Sequence, residues 1–133
     1  MMIRGRSVGD PALILLHGGP GLSETMLFRH FNAPLEKSFT IVYWDQRGAG
    51  KSFDGTILRS SMPIEQFISD LDELVDLVCT RLGKTKVSIF GHSWGSALGC
   101  STLRASRRRS RATSAAGRSA IGRRASRPRM RSR

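Results

Sequence analysis

The sequence predicts an α/β fold, a parallel sheet flanked by helices. Three observations predict it. Residues 12–16 (Ala-Leu-Ile-Leu-Leu) form a continuous apolar run that ends in His17-Gly18-Gly19-Pro20-Gly21. A buried parallel strand running into a glycine-rich turn has this pattern. Residues 39–44 (Phe-Thr-Ile-Val-Tyr-Trp) are β-branched and aromatic and lead into Asp45-Gln46-Arg47-Gly48-Ala49-Gly50, which reads as a second strand and its turn. A long amphipathic stretch then separates this strand from a third short apolar run, so strands alternate with helices.

The connecting elements follow in order. Between the first two strands, Glu24 to Leu35 places Met26, Leu27, Phe31 and Leu35 at roughly helical spacing. Residues 63–82 are the clearest helix. Ile64, Phe67, Ile68, Leu71, Leu74, Val75, Val78 and Leu82 recur at threes and fours, with Glu65, Asp70, Asp72, Glu73 and Asp76 on the other side. Pro63 suits its first turn and Gly83 its C-terminal cap. Val87-Ser88-Ile89-Phe90 is the third strand, ending in Gly91-His92-Ser93-Trp94-Gly95. From residue 104 the character changes to Arg, Ser and Ala without apolar periodicity. Such a segment buries too little surface to offset the entropy of ordering, so residues 104–133 are expected to be disordered or at most weakly helical. The expected organisation is a partial α/β domain over 1–103, ending just after the turn at 91–95, and a disordered Arg-rich tail over 104–133.

The formal net charge of +12 over 133 residues belongs to that tail. Residues 104–133 hold twelve Arg and no Asp, Glu, Lys or His, while residues 1–103 hold ten basic and ten acidic groups. A basic, nucleic-acid-binding core domain is thereby excluded. Twelve Arg would attract phosphate with steep salt dependence, but the tail has no aromatic residue to stack bases. Its expected contact with nucleic acid is non-specific. The run at 12–16 is too short for a signal-peptide core or a membrane span. Cys79 and Cys100 have no metal or redox spacing, and two free thiols in the cytoplasm are expected.

Gly91-His92-Ser93-Trp94-Gly95 fits the pattern G-x-S-x-G, with a strand before it and a helix after. The chain must turn from strand to helix within one residue. Ser93 is thereby forced into a strained conformation with its hydroxyl at the tip, and Gly91 and Gly95 are small because side chains there would collide. The N–H of Trp94 then points at the oxygen of a bound carbonyl, as half of an oxyanion hole at a helix N-terminus. The other half is expected from the loop at 17–21, where Gly19 is the best candidate donor. His17 reads as a loop-shaping residue rather than a base, His30 as a surface residue on a helix, and His92 as pointing away from the pocket.

H-G-G-P-G at 17–21, W-D-Q-R-G-A-G-K-S at 44–52 and G-H-S-W-G-S at 91–96 resemble the α/β-hydrolase superfamily, and most closely its proline iminopeptidase branch. The resemblance covers about residues 3 to 99. It implies Ser93 as catalytic nucleophile and Gly19 and Trp94 as the oxyanion hole. His17, Gly18, Pro20, Gly21, Gly91, His92 and Gly95 are then the supporting motif residues. Release of N-terminal residues from small peptides is the implied reaction, with no cofactor and no metal. Another hydrolysis, of esters or amides, is the alternative within the superfamily, and an Arg-rich binder of nucleic acid or anionic surfaces the alternative outside it. Asp45 and Arg47 are implied to shape the base of the pocket. Asp45 is not expected as a triad acid, because the superfamily order is Ser, then Asp, then His.

That order exposes a departure. No Asp or Glu follows Asp76 and no His follows His92, so the acid and base that would activate Ser93 are missing. The chain also begins without the strands that the resemblance places before residue 3, and it lacks a lid to set substrate choice. Shifting the reading frame by one base from the last base of the Gly99 codon permits V-L-Y-A-A-R-F-P over residues 100–107, which reads as the rest of the elbow helix. A frame shift near Gly99 is therefore expected to account for both the Arg-rich tail and the missing triad.

Overall fold

The computed structural model describes residues 1–57, 60 and 62–121, with side chains described as far as residue 107. The chain divides into two compact units, Met1–Thr102 and Leu103–Arg133. The first holds strands β1 (Met2–Arg4), β2 (Ala12–Leu16), β3 (Thr40–Trp44) and β4 (Ser88–Gly91), with helices α1 (Thr25–Asn32) and α2 (Ile64–Leu82). Helix α3 runs Trp94–Ile121. β2, β3, β4 and α2 lie where the sequence pattern puts them, within a residue or two. The α1 segment is shorter than expected, because Pro34 breaks it into a 3-10 turn over Ala33–Lys37. Gly83 caps α2 in the left-handed conformation at φ 62°.

The sheet order is β1-β3-β2-β4. β2 is parallel to both β3 and β4, as expected, but β1 pairs antiparallel with β3. The sheet is therefore mixed, the expected parallel strands β3, β2 and β4 with a short antiparallel strand added at the edge. β1 is three residues long between charged neighbours, too short to carry a period that sequence reading could detect. The stretch from 104, expected to be disordered or weakly helical, continues as helix as far as Ile121, and residues 122–133 lie outside the described residues.

The two crossovers run in opposite directions across the sheet. The chain goes to β3 through α1 and returns past β2 to β4 through α2, so right-handed connections place the helices on opposite faces. The core follows. Ile14, Leu16 and Val42 pack with Phe67, Leu71, Leu74 and Val78 of α2 and Leu98 of α3. The alternate residues Leu15, Ile41 and Tyr43 face the other way, with Phe28 of α1 packed against them. The strand order reverses at β2, and open α/β sheets form their ligand crevice outside the strand carboxyl ends at such a point. The turns after β2, β3 and β4 all emerge there.

Tyr43 gives a direct probe of this packing, because it is the chain's sole tyrosine. It is buried and donates to Glu36 Oε1 at 2.9 Å, and Arg4 pairs with the other Glu36 oxygen at 3.1 Å. Burial first, and then the Glu36 carboxylate, push its phenol up to about 12 from 10.0. The raised value favours the protonated form in the fold. Its contribution to stability is therefore complete below pH 10 and is lost as pH rises through 12. Tyrosinate absorbance is expected to grow in with a midpoint near 12. A midpoint at 10 would mean that the hydroxyl is not held against Glu36.

Candidate active site

Three turns build the site. The first is the β4–α3 junction. Ser93 has φ 51° and is the sole non-glycine residue with positive φ among the described residues. That conformation costs about 1–3 kcal/mol and persists only where surrounding structure enforces it. The enforcing contacts are explicit. The His92 N–H donates to the Leu16 carbonyl at 3.0 Å, and the Gly95 and Ser96 N–H groups close the first turn onto the His92 and Ser93 carbonyls at 2.8 and 2.9 Å. Ser96 Oγ donates to the Gly91 carbonyl at 2.7 Å. A Cβ on Gly91 would sit 2.6 Å from backbone atoms of Gly95 and Ser96, and one on Gly95 would sit 2.3 Å from the Leu16 carbonyl oxygen. Ser93 is exposed at the tip.

The second turn follows β2. Gly19 and Gly21 have φ +114° and +97°, and the Gly19–Pro20 peptide is cis. His17 is buried, and both its ring nitrogens are committed. Nδ1 donates to the Gly18 carbonyl at 2.7 Å, and Nε2 accepts the Gln46 N–H at 2.9 Å. Satisfying both bonds requires the proton on Nδ1. His17 thus shapes the loop and has no free lone pair with which to act as a base. The Gly18 carbonyl is turned down onto it, so the N–H of Gly19, antiparallel to that carbonyl in the trans peptide plane, turns the other way. Gly18 also lies against the elbow. A Cβ there would be 3.4 Å from Ser93 Cβ and 3.2 Å from both His92 Nδ1 and Glu24 Oε1.

The third turn follows β3 and braces the other two. Gln46 is fully buried; its Nε2 donates to the His17 carbonyl at 2.9 Å and its Oε1 accepts from Trp94 Nε1 at 3.0 Å. Trp94 stands edge-on to Phe67 of α2 at 5.8 Å. Asp45 accepts from Ser23 and Thr25 and from the Lys51 N–H. Burial alone would raise its carboxyl, but these donors outweigh it and hold the group below its usual range. Arg47 forms a two-pronged pair with Asp70 of α2, at 2.8 Å on each prong, and Gln66 donates to the same carboxylate. Burial opposes ionisation of Asp70 too, and the Arg47 and Gln66 bonds again prevail and lower it. Asp45 and Arg47 border an open cleft of about 550 Å³ over Asp70 and Leu74 that no residue of the elbow lines. A smaller pocket of about 210 Å³ does reach the elbow, lined by Glu24, Leu27, Phe28, Phe31, Asn32 and His92.

His92 lines this smaller pocket, which Ser93, Gly19 and Trp94 do not line, and is held through Nδ1 by Glu24 at 2.9 Å. His30 is exposed on α1, edge-on to Phe31. Glu24 and Gln46 are the site residues that sequence reading missed. Both are single polar residues; Gln46 bonds groups 29 and 48 residues away, Glu24 bonds Gly18 six residues away and His92 68 away, and no motif spacing marks either. Among the described residues no group of three His, Cys, Asp or Glu side chains is placed to hold a metal, and no helix is long and apolar enough to cross a membrane. Cys79 and Cys100 are free thiols.

Residues 11–121 match the profile of the alpha/beta hydrolase fold. The chain belongs to the alpha/beta hydrolase family. Within the family it is similar to a probable aminopeptidase, YbaC, of Bacillus subtilis, with 42% identity over 103 residues, or 77% of this chain and 32% of that protein. It is 36% identical to a proline iminopeptidase of Xylella fastidiosa over 94 residues, 71% of this chain and 28% of that one. Among solved structures it resembles a proline iminopeptidase-related protein of Thermus thermophilus (TM-score 0.62, 29% identity, 77% of this chain and 34% of that one). An epoxide hydrolase of Mycobacterium thermoresistibile follows (TM-score 0.58, 29% identity, 75% and 29%). The chain spans about a third of the length of the curated relatives it matches.

Proposed function

We propose that this chain carries the nucleophile and oxyanion half of a serine hydrolase of the proline iminopeptidase type, whose reaction is release of an N-terminal residue from a small peptide. Ser93 is the nucleophile, and the N–H groups of Gly19 and Trp94 receive the oxyanion. The observation that carries the reading is Ser93 itself. It is an exposed serine held in the left-handed region at a strand–helix junction, with the Gly18 turn packed against it. The aminopeptidase and iminopeptidase names of the curated relatives support the peptide substrate. The neighbouring epoxide hydrolase keeps other hydrolyses by this fold as the second reading.

The reading includes inactivity of the chain as it stands, because no acid follows Asp76 and no His follows His92. Residues beyond 103 are proposed to be translated out of frame and to meet nucleic acid only non-specifically. The boundary between the two compact units, after Thr102, falls where the composition changes. A fluorophosphonate probe tests the nucleophile, since phosphorus is attacked by the serine oxygen and fluoride leaves. One slow adduct is expected, mapping to Ser93 and absent in Ser93→Ala. An adduct unaffected by Ser93→Ala, or none at all, would overturn the assignment.

A further inference from the structure

We propose that Glu24 is a positioning residue that locks the oxyanion loop to the nucleophile elbow; this rests on the reading of Ser93 as nucleophile. Glu24 stands at the N-terminal cap position of α1, yet its side chain makes no capping bond there. Its carboxylate turns instead into the site and is only 12% exposed. A charge that far from water needs partners. It has two, from different turns. Oε2 accepts the Gly18 N–H at 3.1 Å, and the carboxylate accepts from His92 Nδ1 at 2.9 Å across 68 residues of sequence.

The consequence concerns a loop with little stiffness of its own. Residues 18, 19 and 21 are glycine, and two of them sit at positive φ. The residue bearing the carbonyl that orients the Gly19 N–H is therefore held by its surroundings. His17 takes the carbonyl of Gly18 and Glu24 takes its N–H. Because Glu24 also grips His92, the residue before Ser93, the same carboxylate couples the Gly19 donor to the elbow that carries the Trp94 donor. Glu24 Oε1, His92 Nδ1 and Ser93 Cβ all lie within 3.4 Å of the point where a Gly18 Cβ would stand. An oxyanion hole works only if both donors are pre-placed, and loss of one donor costs about 10²–10³-fold.

With no base downstream of Ser93, the rate of its phosphonylation reports mainly on the hole, which makes the fluorophosphonate reaction a direct readout at low protein concentration. Glu24→Ala is expected to slow labelling of Ser93 by about tenfold or more, a fraction of a full donor loss. Glu24→Gln, whose amide oxygen can still accept the Gly18 N–H, is expected to stay within about threefold of the parent. His92→Ala should slow labelling as well, and the double variant Glu24→Ala/His92→Ala should be no slower than Glu24→Ala alone, because both break one joint. Parent-like labelling in Glu24→Ala, failure of Glu24→Gln to rescue, or additive losses would each overturn the proposal. Hydrogen exchange of the 17–21 segment provides a second measurement. Should the parent show no Ser93 adduct, the nucleophile reading fails, and the joint is judged by exchange alone. Faster exchange in Glu24→Ala, restored in Glu24→Gln, supports it, and unchanged exchange overturns it. Should Glu24→Ala not fold, His92→Ala and Glu24→Gln decide the matter, since exchange in the 17–21 segment must rise in the first and not in the second.

Discussion

Hydrolysis of proline-naphthylamide and of simple esters by this chain is expected at the blank rate, and restoring the reading frame after Gly99 is expected to raise it by on the order of 10⁴-fold or more. The size of the effect follows from what a serine hydroxyl needs. Unassisted, it is a poor nucleophile, and a base must take its proton as the bond to the carbonyl forms. Three histidines are available in the chain, and the structure shows what each is doing. Both nitrogens of His17 are bonded to backbone, His30 stands against Phe31 on α1, and His92 is tied through Nδ1 to Glu24. The elbow and oxyanion donors by themselves leave only a residue of catalysis. In the frame-restored protein, continued to an Asp and a His, Ser93→Ala should return turnover to the blank. The coding DNA around codon 99 supplies the companion measurement, and its alternative frame should read on as an elbow helix and a further strand. Substantial turnover by the uncorrected chain, lost on Ser93→Ala, would show that one of the three histidines serves as base.

The largest effect on stability is expected from a single methyl group. Gly95→Ala would place a Cβ 2.3 Å from the carbonyl oxygen of Leu16 and 2.7 Å from its carbonyl carbon. Neither is the end of a flexible side chain. Both are backbone of the central strand β2, paired on each side by β3 and β4, so the strand cannot yield without disturbing the sheet. α3 must lift instead, withdrawing Leu98 from the core face. A loss of about 3 kcal/mol is expected, at the upper end for overpacking a rigid site. Gly91→Ala, at 2.6 Å from the Gly95 and Ser96 backbone, should behave similarly. Gly55→Ala is the matched control, with nothing within 4 Å of its Cβ. Urea denaturation followed by circular dichroism makes the comparison. An unchanged midpoint for Gly95→Ala would mean that α3 does not rest on β2 as described.

Much of this fold is legible in the residues because its signals are local. The run Ala12–Leu16 is apolar on both sides since a central parallel strand is covered on both faces, and α2 announces itself through Phe67, Leu71, Leu74 and Val78 at helical spacing. The elbow is equally plain. Gly91 and Gly95 flank Ser93 at the spacing that a one-residue reversal demands, and contacts of 2.3–2.6 Å confirm that neither position has room for a side chain. β1 is less so, because three residues make no period, and its antiparallel pairing with β3 depends on where the chain happens to cross the sheet edge.

The sequence by itself therefore determined the α/β class, the order of the elements from β2 to the start of α3 and the turns that hold the candidate chemistry. Each of these rests on interactions among residues a few positions apart, where spacing is geometry. What the tertiary structure decided is how those turns brace one another. Gln46 joins His17 to Trp94 across 29 and 48 residues, and Glu24 joins Gly18, six residues away, to His92, 68 residues away. The tautomer of His17, and with it the direction of the Gly19 N–H, is set by the Gln46 amide brought beside it by the pairing of β2 with β3. A buried hydrogen bond of this kind leaves no trace in local pattern. A lone glutamate or glutamine reads as solvated until the sheet places a donor against it, and only the assembled crevice makes its burial affordable.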